Sequence, residues 1–385
     1  MDVLTLRKTR RALSTKSALF AVLLPPPVHG QSVVTVSVIS AAEKFASARK
    51  FQVVDIGPGR HTGGFRYHAT RIVRVFGALT ELTKRGAKPG KQLYTVFERG
   101  FGIAYNLMIV GLARMLGCRI VLHHHTSKHT LSRSWRFIVL ARVAGPNCLH
   151  VLLSEAMAHN LRSLYPFVNY VHVSHNACHV GIPKIMARSP VHSDRLRVGY
   201  LSNLCAEKGL NIAIEAAIKC RQRGLDVAFV FAGPAVGAEA KNALSRAKRI
   251  LGDFLEIPGK VSGPAKAAFF ETIDIFLFPS LYPHEAQPMV ILEAMSYGLP
   301  IITTHCGYVK ELVGDDGTVL DIDEGLPDRI VEQLEQYVTN GDRRRQRSVD
   351  AQSRFLQLRA TAAVQLDDLM KALFVVNSDH RGPAP

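Results

Sequence analysis

Phe278-Pro-Ser-Leu-Tyr-Pro-His-Glu-Ala-Gln-Pro-Met-Val-Ile-Leu-Glu-Ala-Met-Ser-Tyr-Gly-Leu-Pro300 is the stretch that decides how this chain is read. The apolar run Ile273–Phe278 before it has the length of a strand, and Pro279 and Pro283 then stop regular structure. Pro288 reads as the first residue of a helix, where a missing N–H costs nothing. Met289 to Tyr297 is apolar on nearly every side, which predicts a buried helix. Gly298 and Pro300 end it, and Ile301–Thr304 starts the next strand. One acid, Glu293, lies inside that helix, and another, Glu285, lies in the loop ahead of it. A buried carboxylate is costly unless something pairs with it. The free N–H groups around the helix start, Gln287 to Val290 apart from Pro288, favour an anion. A nucleoside diphosphate sugar satisfies all three features, with phosphate on the helix start, ribose on Glu293 and sugar on Glu285. The same acids equally suit a helix in which Glu293 pairs with a buried Arg or Lys and Glu285 is a solvated loop acid.

Glu285, seven intervening residues and Glu293, followed by Ala294-Met295, Gly298 and Pro300, resemble the signature of the retaining group 1 (family 4) glycosyltransferases. The resemblance continues through Gly307 and Glu311–Gly314, covers most of 195–320, and is looser in the N-terminal half. It implies a GT-B architecture, in which two Rossmann-like α/β domains face each other across a cleft. It also implies that Glu285 contacts the donor sugar and Glu293 the nucleotide ribose.

A chain of 385 residues is too long for one ordinary core and suits two domains. An apolar fraction of 47% fits globular domains. Six scattered cysteines show no paired spacing, so neither a disulfide framework nor a zinc knuckle is indicated and a reducing cytosol is expected. A formal charge of +17 fits nucleic acid, an anionic membrane surface or an acidic substrate. No nucleic-acid motif or basic–aromatic interleaving accompanies it, which leaves the membrane surface ahead, beside the plain reading of a basic solvated surface. The basic residues are densest at Arg7–Lys16, Arg71–Arg74, Lys208–Arg223 and Arg343–Arg347. No stretch approaches the roughly 20 apolar residues that span a bilayer.

The N-terminal half alternates strand and helix patterns. Ala18–Leu24 reads as a buried first strand, ended by Pro25-Pro-Pro27 without a signal-peptidase site. Pro25–Ser32 is expected to be a ligand-facing loop, with Gly30 as donor contact and His29 and Gln31 as further candidates, or an ordinary turn. Strands follow at Phe51–Ile56, Leu93–Phe97, Arg119–Leu122, Val151–Glu155 and Tyr170–Val173, with helices at Tyr67–Arg85, Ala104–Leu116 and Ala156–Leu164. Gly57–Gly64 is a Gly-rich loop without a dinucleotide fingerprint. His123-His-His125 ends a strand, and at most alternate histidines can share a ligand. With no acid nearby, no metal site is assigned. The glycosyltransferase resemblance carries a strand-end His-Thr-Ser onto His125, Thr126 and Ser127 and implies that His125 lies by the donor sugar. Asn176 matches the Asn of the family's Pro-Asn-Gly, with Ala177 in place of its Gly.

Pro183–Ser193 has the composition of a linker, giving an N-terminal domain of 1–187 and a C-terminal one of 188–350. A tail of 351–385 forms a helix crossing back to the first. Leu196–Leu201 restarts the strand pattern, and Leu210–Arg221, Val227–Ala232, Ala238–Leu251, Ala265–Thr272, Thr318–Leu320, Asp328–Tyr337 and Arg343–Val376 continue it. The resemblance places Lys208 on the donor diphosphate. Its usual Gly-Arg is replaced by Ser202-Asn203, so Asn203 stands where a second cation is expected.

The resemblance therefore implies a metal-independent, retaining glycosyltransferase. Glu285, His125 and Lys208 are its catalytic candidates, and Glu293, Asn203, Gln287, Pro288, Met289, Val290 and Gly30 its donor contacts. No cofactor is expected beyond the nucleoside diphosphate sugar as co-substrate. The expected partners are that donor, a saccharide or lipid-linked acceptor and an anionic membrane surface, with no nucleic acid, and the expected setting is the cytoplasm or the cytoplasmic face of a membrane. A nucleotide-sugar epimerase or hydrolase on the same fold, or a non-catalytic partner subunit, are the competing readings.

Overall fold

A computed structural model describes residues 17–26, 30–46, 51–59, 64–86, 90–183 and 195–375. The chain falls into two compact units. The first takes Met1–His125, Ser132–His175 and Ala362–Pro385; the second takes Thr126–Leu131 and Asn176–Thr361. The domain boundary read from the sequence at 187/188 falls outside the described residues.

In the first unit the elements are β1 (Ser17–Val22), α1 (Gly30–Phe45), β2 (Phe51–Asp55), α2 (Gly64–Arg85), β3 (Lys91–Val96) and α3 (Gly102–Met115). They continue as β4 (Arg119–His123), α4 (Lys128–Leu131, counted with the second unit), α5 (Trp135–Ala144), β5 (Leu149–Leu152), α6 (Glu155–Leu164) and β6 (Tyr170–Val173). The six strands form one sheet in the order β2-β1-β3-β4-β5-β6. Every pair is parallel; Phe20, for example, stands between Val53 and Tyr94. Parallel strands are covered on both faces, which is why they appear in the sequence as continuous apolar runs. The strand order reverses at β1, and right-handed crossovers then put α1 on one face and α2, α3 and α5 on the other.

In the second unit the elements are β7 (Leu196–Leu201), α7 (Leu210–Gln222), β8 (Val227–Ala232), α8 (Gly237–Leu251), β9 (Leu255–Gly259) and α9 (Pro264–Thr272). They continue as β10 (Ile275–Phe278), α10 (Met289–Ser296), β11 (Ile301–Thr304), α11 (Val309–Val313), β12 (Thr318–Leu320), α12 (Leu326–Thr339) and α13 (Gly341–Phe374). The sheet order is β12-β11-β10-β7-β8-β9, all parallel, with the edge strand β12 where the sequence places it. Tyr200, Phe229, Phe231, Leu277 and Ile302 lie in a buried core together with residues of α7, α8 and α12. Gly199 lets Ile273 close on β7, since a Cβ there would stand 2.2 Å from the Ile273 Cδ1.

The α/β expectation holds, with local corrections. Pro25–Ser32 is not all loop: α1 already begins at Gly30, so Gly30, Gln31 and Ser32 are helical. The strand expected at Val151–Glu155 runs from Leu149 to Leu152. It stops early because Ser154, in an extended conformation, accepts the Met157 amide at 3.2 Å and starts α6. His29, the basic run Arg7–Lys16, most of the linker Pro183–Ser193 and the tail Asp379–Pro385 lie outside the described residues.

Candidate functional site

The order β9-β8-β7-β10-β11-β12 makes the boundary of β7 and β10 the switch point of the second sheet, where Val198 pairs with Ile275. In open α/β sheets, ligands bind outside the carboxyl ends of strands at such a point. The loop after β7 carries Lys208 and the loop after β10 carries Glu285. Lys208 closes a short 3₁₀ turn, Ala206–Lys208. The Tyr200 hydroxyl donates to the Lys208 carbonyl at 2.8 Å, and the Leu281 amide donates to the Glu207 carbonyl at 2.9 Å. Gly209, at φ +80°, admits the close approach of the two loops; a Cβ there would lie 1.8 Å from the Pro279 carbonyl oxygen.

That stitching brings the Lys208 Nζ into an ion pair with the Glu285 carboxylate. The Ser280 hydroxyl donates to Glu285 Oε1 at 2.8 Å, and the Lys208 Nζ stands 4.9 Å from the Tyr282 ring centroid. Glu285 is buried, with only 8% of its surface exposed. The loop after β11 completes the support. The Tyr308 amide donates to the Glu285 carbonyl at 3.0 Å, the Thr304 hydroxyl to the Ser280 carbonyl, and the Tyr308 hydroxyl to Thr130 Oγ1 at 2.9 Å.

Helix α10 starts one residue later than the sequence suggests. Pro288 has ψ 117° and is the extended residue before the helix rather than its first turn. The segment ahead of it is held by Asn176, whose amide donates to Gln287 Oε1 at 2.9 Å and whose Nδ2 donates to the Gln287 carbonyl at 3.2 Å. Pro288, Met289 and Val290 are half-buried at the helix start. Glu293 is half-buried rather than enclosed, and it is not left to a ligand alone. The Lys266 Nζ, from the first turn of α9, reaches its carboxylate at 2.6 Å. Burial pushes the Glu293 carboxyl above the usual carboxylate range, and the Lys266 charge pulls against that. Glu293 thus has a basic partner, as the alternative reading allows, whereas Glu285 is buried and paired rather than a solvated loop acid.

In the first unit, His123 ends β4 and its Nδ1 meets the Tyr94 hydroxyl. The His123 and His125 rings lie 4.2 Å apart, as alternate strand positions dictate. His124 faces the other side, its Nε2 3.1 Å from His150 Nδ1. Burial depresses the His150 imidazole to about 4, so it stays neutral. Gly30 opens α1 after β1, at this sheet's own switch point, and Asn203 is exposed in the loop after β7. Among the described residues, no group of three or more His, Cys, Asp or Glu is arranged to hold a metal ion.

Of the residues singled out from sequence, Lys208 and Glu285 are in contact, and Gln287 and Asn176 bind each other. Glu293 lies on the helix that follows. Ser280, Tyr282, Tyr308 and Lys266 are site residues that sequence reasoning missed. The chemistry on offer is a cation and a carboxylate paired at strand ends, next to a helix N-terminus and a second carboxylate.

Residues 181–354 match the family described as glycosyl transferases group 1. This stretch is similar to the group 1 glycosyltransferases. Alpha-D-kanosaminyltransferase of Streptomyces kanamyceticus is 34% identical over 125 residues, and the amylovoran biosynthesis glycosyltransferase AmsK of Erwinia amylovora is 28% identical over 123. These alignments take in 32% and 31% of this chain and span 31% and 30% of those relatives' lengths. Solved structures resemble it over far more of its length. HepE of Anabaena, solved in complex with UDP-glucose, covers 92% of this chain and 99% of its own at TM-score 0.68 and 16% identity. Sucrose-phosphate synthase of Thermosynechococcus elongatus covers 93% and 99% at TM-score 0.67 and 15% identity. The protein has the GT-B fold. Lys208, Glu285 and Glu293 all fall within the segment that matches the group 1 glycosyltransferase family.

Proposed function

We propose that the protein is a retaining, metal-independent glycosyltransferase. It moves a sugar from a nucleoside diphosphate sugar to a saccharide or lipid-linked acceptor, in the synthesis of a cell-surface polysaccharide or glycolipid. The observation that carries this reading is the meeting of Lys208 and Glu285 at the switch point of the second sheet. Two of its sequence relatives are named for sugar transfer, and the HepE structure holds UDP-glucose.

Donor binding exchanges partners within that pair. Lys208 turns to the diphosphate, whose charge grows as the sugar leaves, and a preorganised cation stabilises that charge. Glu285, released from Lys208 and still held by Ser280, accepts hydroxyls of the sugar and orients it. The N–H groups at the start of α10 face the phosphates, and Glu293 accepts the ribose hydroxyls. Asn203, in place of a second cation, adds a neutral contact. We also assign His125 to the sugar, as the family resemblance implies. The bond from the anomeric carbon to the diphosphate oxygen breaks, and the acceptor oxygen forms its bond on the same face. The acceptor proton passes to the departing phosphate oxygen, which acts as base. No protein nucleophile enters.

The test is thermal unfolding of the full chain against a panel of nucleoside diphosphates and their sugars, followed by product analysis with and without lipid and saccharide acceptors. One ligand at about 100 times its Kd should stabilise by about 2.7 kcal/mol. Sugar release that needs no acceptor supports the hydrolase reading. Stabilisation by no nucleotide at all supports the non-catalytic subunit and overturns the proposal.

A further inference from the structure

We propose that the helical layer α2–α3–α5 of the first unit is a docking surface for an anionic lipid membrane. It rests on an apolar stripe on the solvent side of three neighbouring helices, flanked by basic residues and nearly free of acids.

Helix α2 is apolar on two faces. Its inner face buries Arg71, Val75, Ala78 and Leu82. Arg71 locks it down with a bidentate pair to buried Glu98 at 2.6 Å on each arm and a bond to the Ile56 carbonyl at 3.1 Å. The outer face carries Phe65, Ile72, Val73 and Phe76 at helical spacing, with Phe65 86% and Phe76 57% exposed. A helix that needs only one apolar face to fold gains nothing from the second.

Helix α3 packs between α2 and α5. The Phe101 ring at its start lies 6.2 Å from that of His68 on α2, and an ideal Cβ on Gly111 would meet Val143 of α5 at 3.8 Å. Phe101 is 82% exposed, and Met108 and Met115 follow on the solvent side of α3. At the start of α5, Ser134 accepts the Phe137 amide and fixes Trp135 as the first helical residue, 69% exposed. Trp135 is the chain's single tryptophan.

The charges are one-sided. Between Gly64 and Gly145 the only acids are Glu81 and Glu98. Glu98 is buried against Arg71, and Glu81 is paired with Lys84 at 2.8 Å. Arg66, Arg114, Arg136 and Arg142 are exposed on the same helices, and Arg99 is exposed in the loop before α3. Large apolar side chains, tryptophan included, with basic neighbours suit the headgroup boundary of an anionic bilayer. A second copy of this chain would set the same positive face against itself. No helix among the described residues is long and apolar enough to cross a membrane, so the attachment lies in the plane of the surface.

The proposal goes beyond sugar transfer and its test needs no activity. The full chain is mixed with vesicles of phosphatidylcholine containing phosphatidylglycerol, and with phosphatidylcholine alone. Trp135 emission and co-sedimentation report binding. The expected result is a blue shift and sedimentation with the anionic vesicles, reversed at roughly 1 M salt, where screening falls to about 3 Å. Phe65→Ser and Phe76→Ser should each lower the partition coefficient roughly tenfold, and Arg142→Gln several-fold. All three positions are solvent-facing, and an unchanged melting temperature confirms folding. Ile250→Ser, on exposed α8 of the second unit, should bind as the parent does. The proposal fails if the parent gives no shift, if the Phe variants bind like the parent, or if Ile250→Ser loses binding equally. It also fails if Phe76→Ser breaks a dimer seen by sedimentation without vesicles.

Discussion

Gly307 lies against the backbone of Glu285 so closely that a Cβ on Gly307 would stand 1.9 Å from the Glu285 carbonyl oxygen. Gly307 also sits at φ +51°, a left-handed conformation that side chains resist. Gly307→Ala should therefore cost about 2 kcal/mol or more, and it should push the Glu285 loop out of place. Denaturant unfolding and transfer rate measure the two effects. Gly298→Ala is the comparison: its φ is +65°, but its nearest neighbour is the Ser348 hydroxyl at 3.2 Å, so only the conformational cost of about 1 kcal/mol applies.

Lys208 and Glu285 are ion-paired, so their substitutions should not add. Lys208→Ala leaves buried Glu285 with the Ser280 hydroxyl as its remaining side-chain contact on Oε1, and Glu285→Gln keeps the shape but not the charge. Each should lower kcat about a hundredfold or more, in the range of a lost electrostatic stabiliser. The double variant should fall little further, because the second change removes a partner already stranded. Steady-state kinetics of the four proteins decide it, and fully multiplicative losses would assign them separate tasks.

Lys266→Ala should make nucleoside diphosphate affinity depend on pH. Burial already raises the Glu293 carboxyl, and Lys266 restrains the rise. Without Lys266 the proton is held more tightly, so Glu293 becomes a poorer acceptor for ribose hydroxyls as pH falls and recovers as pH rises. Calorimetric titration across pH should show that slope in Lys266→Ala, a flatter one in the parent, and none in Lys266→Ala/Glu293→Gln.

Stability should fall on mild acidification. Burial holds His150 and His179 at about 4, against 6.5 in the unfolded chain. Below 6.5 the unfolded chain binds protons that the folded one refuses, so their contribution is complete above 6.5 and is lost as pH drops toward 4. The loss is of order 3 kcal/mol for each. Urea unfolding at a series of pH values checks it, with His150→Gln flattening the slope for the first unit.

Most strands were legible because parallel strands bury both faces, so runs such as Val227–Ala232 stand out against their turns. The boundaries that slipped did so for local reasons, a serine cap at Ser154 and a helix opening at Gly30. Glu285 and Lys208 could be named from the family resemblance, but not their contact, which rests on Gly209 and Gly307 letting three loops close together. Lys266 was invisible as the partner of Glu293 because nothing in α9's own pattern distinguishes it from a solvated lysine. The second apolar face of α2 was also missed: periodicity tells that a helix has an apolar side, and two such sides blur into one hydrophobic segment.

Helix α13 has a practical consequence for anyone dissecting the molecule. Its last turns belong with the first unit, where the Phe374 ring lies 6.1 Å from Phe45 and 6.2 Å from Phe51, and Gln92 Nε2 donates to the Leu373 carbonyl at 2.9 Å. A fragment cut at the chain's midpoint would lack this aromatic plug and expose the groove it fills. Expressing the two halves as separate genes should give an aggregating N-terminal piece, whereas a circular permutant that joins the tail to the first strand should remain soluble.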